Sequence, residues 1–215
     1  MQNEEIVADF ANTDLISEKY SQGFLFGRKS AGYLYQTCSL RIDLSKFVPS
    51  SENRRVLKKY ETNIVLHKLP FSVEFESWKI QKLAVDFYHN KFQAVDFSAN
   101  KLRELLKTNY HFNLLLDFNS TGYAICYENP LLLHYCYPFY DLSADITNRG
   151  MFIMLQAILW AQLLGKEYIY LGGLTRRKDV YKLQFAGVEY WQDNSWHSSS
   201  EDIEVVKASL AAIPE

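Results

Sequence analysis

Residues 131–191 read LLLHYCYPFYDLSADITNRGMFIMLQAILWAQLLGKEYIYLGGLTRRKDVYKLQFAGVEYW, and their pattern decides the fold. Leu131 to Tyr140 is almost wholly apolar and aromatic, which suits a strand covered on both faces. Asp141 and Asp145 follow, with Asn148 as a candidate N-cap. Gly150 to Leu164 is apolar nearly all round, so a buried helix is expected, too short and too interrupted for a membrane span. Gly165 is placed to end it. Glu167 to Leu171 reads as a second buried strand, closed by Gly172 and Gly173. A helix that leaves one strand and returns to another predicts a right-handed crossover between parallel strands.

Working outward, the chain of 215 residues suits one domain, with residues 1–19 as a short helix or arm laid upon it. Gly23 to Gln36 reads as two short strands about a turn at Arg28 to Gly32. Cys38 to Phe47 alternates as a strand with Leu40, Ile42 and Leu44 on one face and Arg41 and Asp43 on the other. Pro49, Ser50 and Ser51 start a helix, Glu52 to Tyr60, on which Arg54, Arg55, Lys58 and Lys59 share one face. That face is either a solvated helix side or a phosphate-contacting surface. Asn63 to Leu69 is a predicted strand. Val73 to Phe92 is a long helix with Trp78, Leu83, Phe87 and Tyr88 in the core. Ser98 caps Asn100 to Leu106. His111 to Asp117 and Gly122 to Tyr127 pair as a hairpin around Asn119, Ser120 and Thr121. Val188 to Trp191 is the last strand and Asp202 to Ala212 the last helix. The sum is an α+β fold, a mixed and mostly antiparallel sheet with flanking helices and a late βαβ crossover.

Composition limits the function classes. A formal charge of −2 gives no whole-molecule attraction to nucleic acid, so such binding needs a local patch. Cys38, Cys126 and Cys136 form no CxxC pair and no zinc spacing, which suits a reduced cytoplasmic protein without a structural metal. The N-terminus lacks the basic flank and apolar run of a secretory signal. Asp141, Asn148, Arg149, Gly172 and Gly173 are expected beside a cleft at the carboxyl ends of the parallel strands.

Several motifs together resemble the arginyl-tRNA–protein transferases and their bacterial leucyl relatives. Residues 47–59 (FVPSSENRRVLKK) resemble the family's F-x-P-S-x-x-x-R-R segment. Residues 160–165 (WAQLLG), 168–172 (YIYLG), 180–185 (VYKLQF) and Glu189 follow in the family's order, and the match spans about residues 20–197. This chain departs from the family at Lys91-Phe92, where Arg-His is usual. It departs again at 148–152 (NRGMF), where S-L-G-T-Y is usual, and at the basic run 175–178 (TRRK). The family's cysteine-rich iron–sulfur region has no counterpart, so no cofactor is expected.

The resemblance implies a GNAT-like acyltransferase fold and transfer of arginine or leucine from charged tRNA to a protein N-terminal α-amine, as in N-degron tagging. It implies catalytic roles for Tyr181 and Lys182, which otherwise would simply close a strand edge. Asp141 is either a turn residue or a catalytic carboxylate. Arg54, Arg55, Lys58, Lys59, Arg176, Arg177 and Lys178 would hold tRNA. Gly172, Gly173, Arg149 and Gly150 would shape the aminoacyl pocket, and backbone N–H groups near Gly172 or Gly150 could hold an oxyanion. Tyr168 and Tyr170 either join that pocket or pack in the core. Two other readings stand beside it. One is an acetyl-CoA-dependent GNAT enzyme, disfavoured by Met151 and Phe152 where a glycine-rich loop is needed. The other is a non-catalytic tRNA- or peptide-binding relative.

Overall fold

The apolar stretch folds as two strands and a helix: Leu132–Tyr140, Arg149–Leu163 and Tyr168–Gly173, with the strands parallel. A computed structural model describes residues 4–59, 65–68, 77–94, 97–107, 109–119, 122–143 and 148–213. The elements run β1 (Glu5–Val7), α1 (Thr13–Ser21), β2 (Phe24–Phe26), β3 (Tyr33–Gln36), β4 (Ser39–Asp43), α2 (Ser51–Leu57), β5 (Val65–Lys68), α3 (Ser77–Phe92) and α4 (Ala99–Leu105). They continue with β6 (Leu114–Asp117), β7 (Gly122–Glu128), β8 (Leu132–Tyr140), α5 (Arg149–Leu163), β9 (Tyr168–Gly173), a 3-10 run (Arg177–Gln184), β10 (Val188–Gln192), β11 (Ser195–His197) and α6 (Ser200–Ala211). The ends of the strand read at 63–69, the helix start at 73–76, and Tyr60, Ser120, Thr121 and Asp145 lie outside the described residues.

Eight strands form one sheet in the order β11-β10-β4-β9-β8-β7-β6-β5. Among them β8–β9 is parallel and the other described pairings are antiparallel. This is the mixed, mostly antiparallel α+β architecture expected, with its flanking helices and late βαβ crossover. Side-chain alternation feeds two cores. Leu114, Leu116, Ala124, Leu133 and Ile169 meet α5, α2 and α6 on one face. Leu115, Ile125, Leu132 and Tyr170 meet α1, α3, α4 and the hairpin β2–β3 on the other. Burial on both sides explains why β8 and β9 read as continuous apolar runs.

The sheet opens where the site will lie. Pairing of β8 with β9 runs only through Leu132↔Tyr168, Leu133↔Ile169 and His134↔Tyr170. Beyond His134 the long β8 continues without β9, and a register shift at Ile125/Cys126 bends its other neighbour. At its far end α5 closes with two bonds: Gly165 N–H donates to the Gln162 carbonyl at 3.0 Å and Lys166 N–H to Ala161 at 3.1 Å. Gly165 takes φ +71°, so the expected C-terminal glycine signal is borne out as a Schellman motif.

Four expectations are corrected. Trp78 is 60 % exposed rather than core. Asn148 does sit at the N-cap of α5, but at φ 69° and without a side-chain capping bond. Tyr181 and Lys182 stand on a 3-10 helix, not a strand edge. The N-terminal arm is β1 and α1, and β1 joins β3 and β2 in a separate three-stranded sheet.

Candidate active site

A cleft of about 860 Å³ lies where β8 runs on without β9. Its floor is the carboxyl half of β8, from Tyr135 to Tyr140. Its walls are the end of α3 (Phe87, Tyr88, Lys91, Phe92), the start of α5 (Asn148 to Met151, and Met154) and the 3-10 run (Lys178, Asp179, Tyr181, Lys182). Arg28, Arg176 and Asp141 complete the rim. Among the described residues six cations, Arg28, Lys91, Arg149, Arg176, Lys178 and Lys182, face two carboxylates, Asp141 and Asp179. A locally positive cleft therefore sits in a chain whose formal charge is −2.

The 3-10 run explains how Lys182 is aimed. With three residues per turn, Arg176, Asp179 and Lys182 fall on one side. Asp179 is 2 % exposed and accepts from both: Lys182 Nζ at 3.1 Å and Arg176 Nη2 at 3.2 Å. Backbone N–H groups of Thr175 and Arg176 donate to its other oxygen at 3.3 and 3.0 Å. Burial alone would raise the Asp179 carboxyl, but Lys182 and Arg176 outweigh it and hold it below the usual range. Lys182 also donates to the Gly173 carbonyl at 3.2 Å, and burial pushes its ammonium down while Asp179 pulls it up. Sequence reasoning missed Asp179; an acid at i+3 from one cation and i−3 from another was the available signal.

The other expected residues divide clearly. Tyr181 is part-exposed on the cleft, its phenol pushed up to about 12 by burial and by Asp179, so it is a neutral donor. Asp141 is an exposed turn residue whose carboxylate accepts from Ser143 N and Oγ, which holds it below the usual range. It is ionised and weakly basic. Gly172 lies behind Lys182, whose Nζ would be 3.8 Å from a Cβ there. Arg149 and Gly150 line the cleft. Tyr168 and Tyr170 do not. Tyr170 is buried against Tyr20, and its hydroxyl meets Arg41 Nη1 at 3.4 Å. Arg41 lies between the rings of Tyr168 and Trp196 and pairs with Glu189 at 2.8 Å, so this cluster is core.

Of the proposed tRNA face, Arg176 and Lys178 border the cleft. Arg54, Arg55, Lys58 and Lys59 sit at α2, whose buried side packs on α5, and none lines the cleft. Arg55 is clamped by Glu52 through two bonds of 2.7 and 2.6 Å, so that face carries its own acid. Cys126 is buried, whereas Cys136 is part-buried and lines the cleft. Tyr135 Oη and Arg149 Nε, both on cleft-lining residues, are buried without a hydrogen-bond partner among the described residues. No described helix is long and apolar enough to cross a membrane.

No protein-family model matches the chain. Over 199 residues it is 26 % identical to the aspartate/glutamate leucyltransferase of Pseudomonas aeruginosa strain LESB58, covering 86 % of this chain and 83 % of that protein. It is 22 % identical over 198 residues to the aspartate/glutamate leucyltransferase of Saccharophagus degradans, covering 85 % and 82 %. The similarity read from separate motifs thus extends over most of the length. Among solved structures the chain is similar to L-PGS from Bacillus licheniformis, with a TM-score of 0.48 and 13 % identity over 93 % of this chain and 71 % of that one.

Proposed function

We propose that this chain is an aminoacyl-tRNA–protein transferase that moves leucine from charged tRNA to the α-amine of a protein beginning with aspartate or glutamate. The observation that carries the reading is the cleft between the parting strands, with six cations against two carboxylates. Both proposed substrates are anionic: a tRNA 3′ end, and an acidic N-terminal residue. The apolar wall of Met151, Met154 and Leu171 suits a leucyl side chain, and the surplus of positive charge disfavours an arginyl one. The named activity of the relatives points the same way.

The reaction needs little base. The α-amine titrates at about 7.7–8.0, so a large fraction is neutral near neutral pH. Its nitrogen attacks the ester carbonyl, forming a C–N bond and a tetrahedral oxyanion. The C–O bond to the terminal ribose then breaks, and the amine proton passes to the ribose oxygen. Lys182 supplies a fixed positive charge for the oxyanion, held in aim by Asp179. Tyr181, neutral and part-exposed, donates a hydrogen bond to the leaving oxygen while the amine proton reaches it. Arg176 and Lys178 meet the phosphates of the tRNA end, with Arg177 beside them on the same run. Arg54, Arg55, Lys58 and Lys59 offer a second positive strip to the stem. In the cytoplasm a leucine added this way would mark its acceptor as an N-degron.

A transfer assay tests this. Purified protein is mixed with leucyl- or arginyl-tRNA and peptides beginning with Asp, Glu or Ala, and peptide masses are read. A gain of one leucine on the acidic peptides is expected. A gain of one acetyl group from acetyl-CoA, or no gain from any charged tRNA, overturns the reading.

A further inference from the structure

The first residue of α5 carries a charge that no carboxylate among the described residues meets in an ion pair. Arg149 lines the cleft yet is only 6 % exposed. Its Nη1 donates to the main-chain carbonyl of Asp141 at 2.7 Å. Among the described residues its Nε has no hydrogen-bond partner, and no carboxylate forms an ion pair with the guanidinium. The Asp141 carboxylate is turned to Ser143 instead. A buried cation whose hydrogen bond goes to a neutral oxygen, with the Asp141 carboxylate acting on it only through space, is costly unless something else completes it.

The backbone beside it points to the same need. α5 is 15 residues long, and Asn148 enters it in a left-handed conformation with no side-chain capping bond. The first-turn N–H groups therefore lack the usual side-chain acceptor and carry the positive end of the helix dipole. Gly150 lets the Tyr140 phenol pack against this first turn, because a Cβ there would lie 2.9 Å from Tyr140 Oη. That hydroxyl accepts from Lys91 Nζ, which brings a second cation to the same corner.

We infer that Arg149 and the N-terminus of α5 form an anion subsite that takes the side-chain carboxylate of the acceptor's first residue. The inference rests on the reading of the chain as a transferase with acidic acceptors. The planar guanidinium fits a carboxylate or a phosphate bidentately, so position decides between them. Arg176 and Lys178 are solvent-exposed at the rim, placed for a phosphodiester chain, whereas Arg149 is buried in the cleft wall, where the acceptor's side-chain carboxylate is the smaller anion to admit.

The experiment compares peptides beginning with Asp, Asn, Glu or Gln on wild type, Arg149→Gln and Arg149→Lys. Binding is measured by calorimetry without tRNA, and KM is measured for peptide and for leucyl-tRNA. Wild type should prefer Asp to Asn by at least about tenfold, the worth of one charge-assisted pair. Arg149→Gln should bring the two within about twofold while the KM for leucyl-tRNA stays put. Arg149→Lys, which keeps the charge and guards against a misfolded Gln variant, should retain part of the preference. An unchanged Asp/Asn ratio in Arg149→Gln overturns the subsite, as does a raised KM for leucyl-tRNA with the ratio intact. Selective, Arg149-dependent binding of acidic peptides without transfer from any charged tRNA would uphold the subsite and sink the transferase. Equal transfer to Asp and Asn peptides by wild type would do the reverse.

Discussion

At the scale of single residues, the triad Arg176–Asp179–Lys182, with Asp179 and Lys182 buried and Arg176 at the rim, does most to define the site. Lys182→Met leaves Asp179 with Arg176 and two backbone donors. Its stability cost should therefore be about 2 kcal/mol, below the ~3–5 kcal/mol of a fully orphaned buried charge. Transfer should suffer far more, by about 10²-fold in single-turnover rate, if Lys182 stabilises the oxyanion. Thermal melts and single-turnover kinetics separate the two effects. A Lys182→Met protein that melts lower but transfers at full rate would reduce Lys182 to a structural role. Lys182 was legible because a motif flagged it. Asp179 was not, since its meaning depends on a 3-10 helix that the polar run RKDVYKLQ does not announce. Tyr168 and Tyr170 show the opposite failure: alternation placed them on one face, but the sequence could not tell that Arg41 and Trp196 already fill it.

At the scale of elements, α5 has unlike ends, and the contrast separates stability from function. Its C-terminus is closed by Gly165 at φ +71°, where an added Cβ would meet nothing within 4 Å. Gly165→Ala should therefore cost only the left-handed backbone penalty, about 1 kcal/mol, readable as a lower urea midpoint with unchanged slope. Transfer should not change, because the Schellman end lies at the other end of the helix from the cleft. A loss of several kcal/mol would mean the open space there is filled in solution. Long periodic elements such as β8, α5 and β9 were legible because burial on both faces leaves continuous apolar runs. The three-residue β11 was not, although Asp193 and Asn194, at φ 49° and 58°, are the residues a tight hairpin turn favours. Three residues carry too little pattern to be heard.

At the scale of the whole molecule, two neutral histidines join the N-terminal layer to the large sheet. His134 on β8 is 3 % exposed, with Nδ1 2.8 Å from Tyr20 Oη of α1. His111 is 1 % exposed, accepts from Gly32 N–H at 3.0 Å and stacks on Phe26 of β2. The sequence showed both only as scattered histidines, because each partner lies far away along the chain. Burial, with the positive charge of Lys182 in the case of His134, pushes each imidazole down to about 3. The unfolded chain takes up these protons near pH 6.5 and the folded one does not, so protonation favours unfolding. Stability from this source is complete above about pH 6.5 and drains as pH falls towards 3, at up to about 2.7 kcal/mol per pH unit for the two sites together. The carboxyl groups held low, Asp43 and Asp179 among them, titrate in the folded state only below 3.8, so a comparison between pH 7 and pH 5.5 isolates the histidines. Urea midpoints should fall across that interval in wild type. They should fall about half as steeply in His134→Asn, which keeps a side-chain oxygen for Tyr20 but has no proton to gain. Equal slopes in the two proteins would show that His134 is already protonated or solvated in the folded state, and that the layers are joined by apolar packing alone.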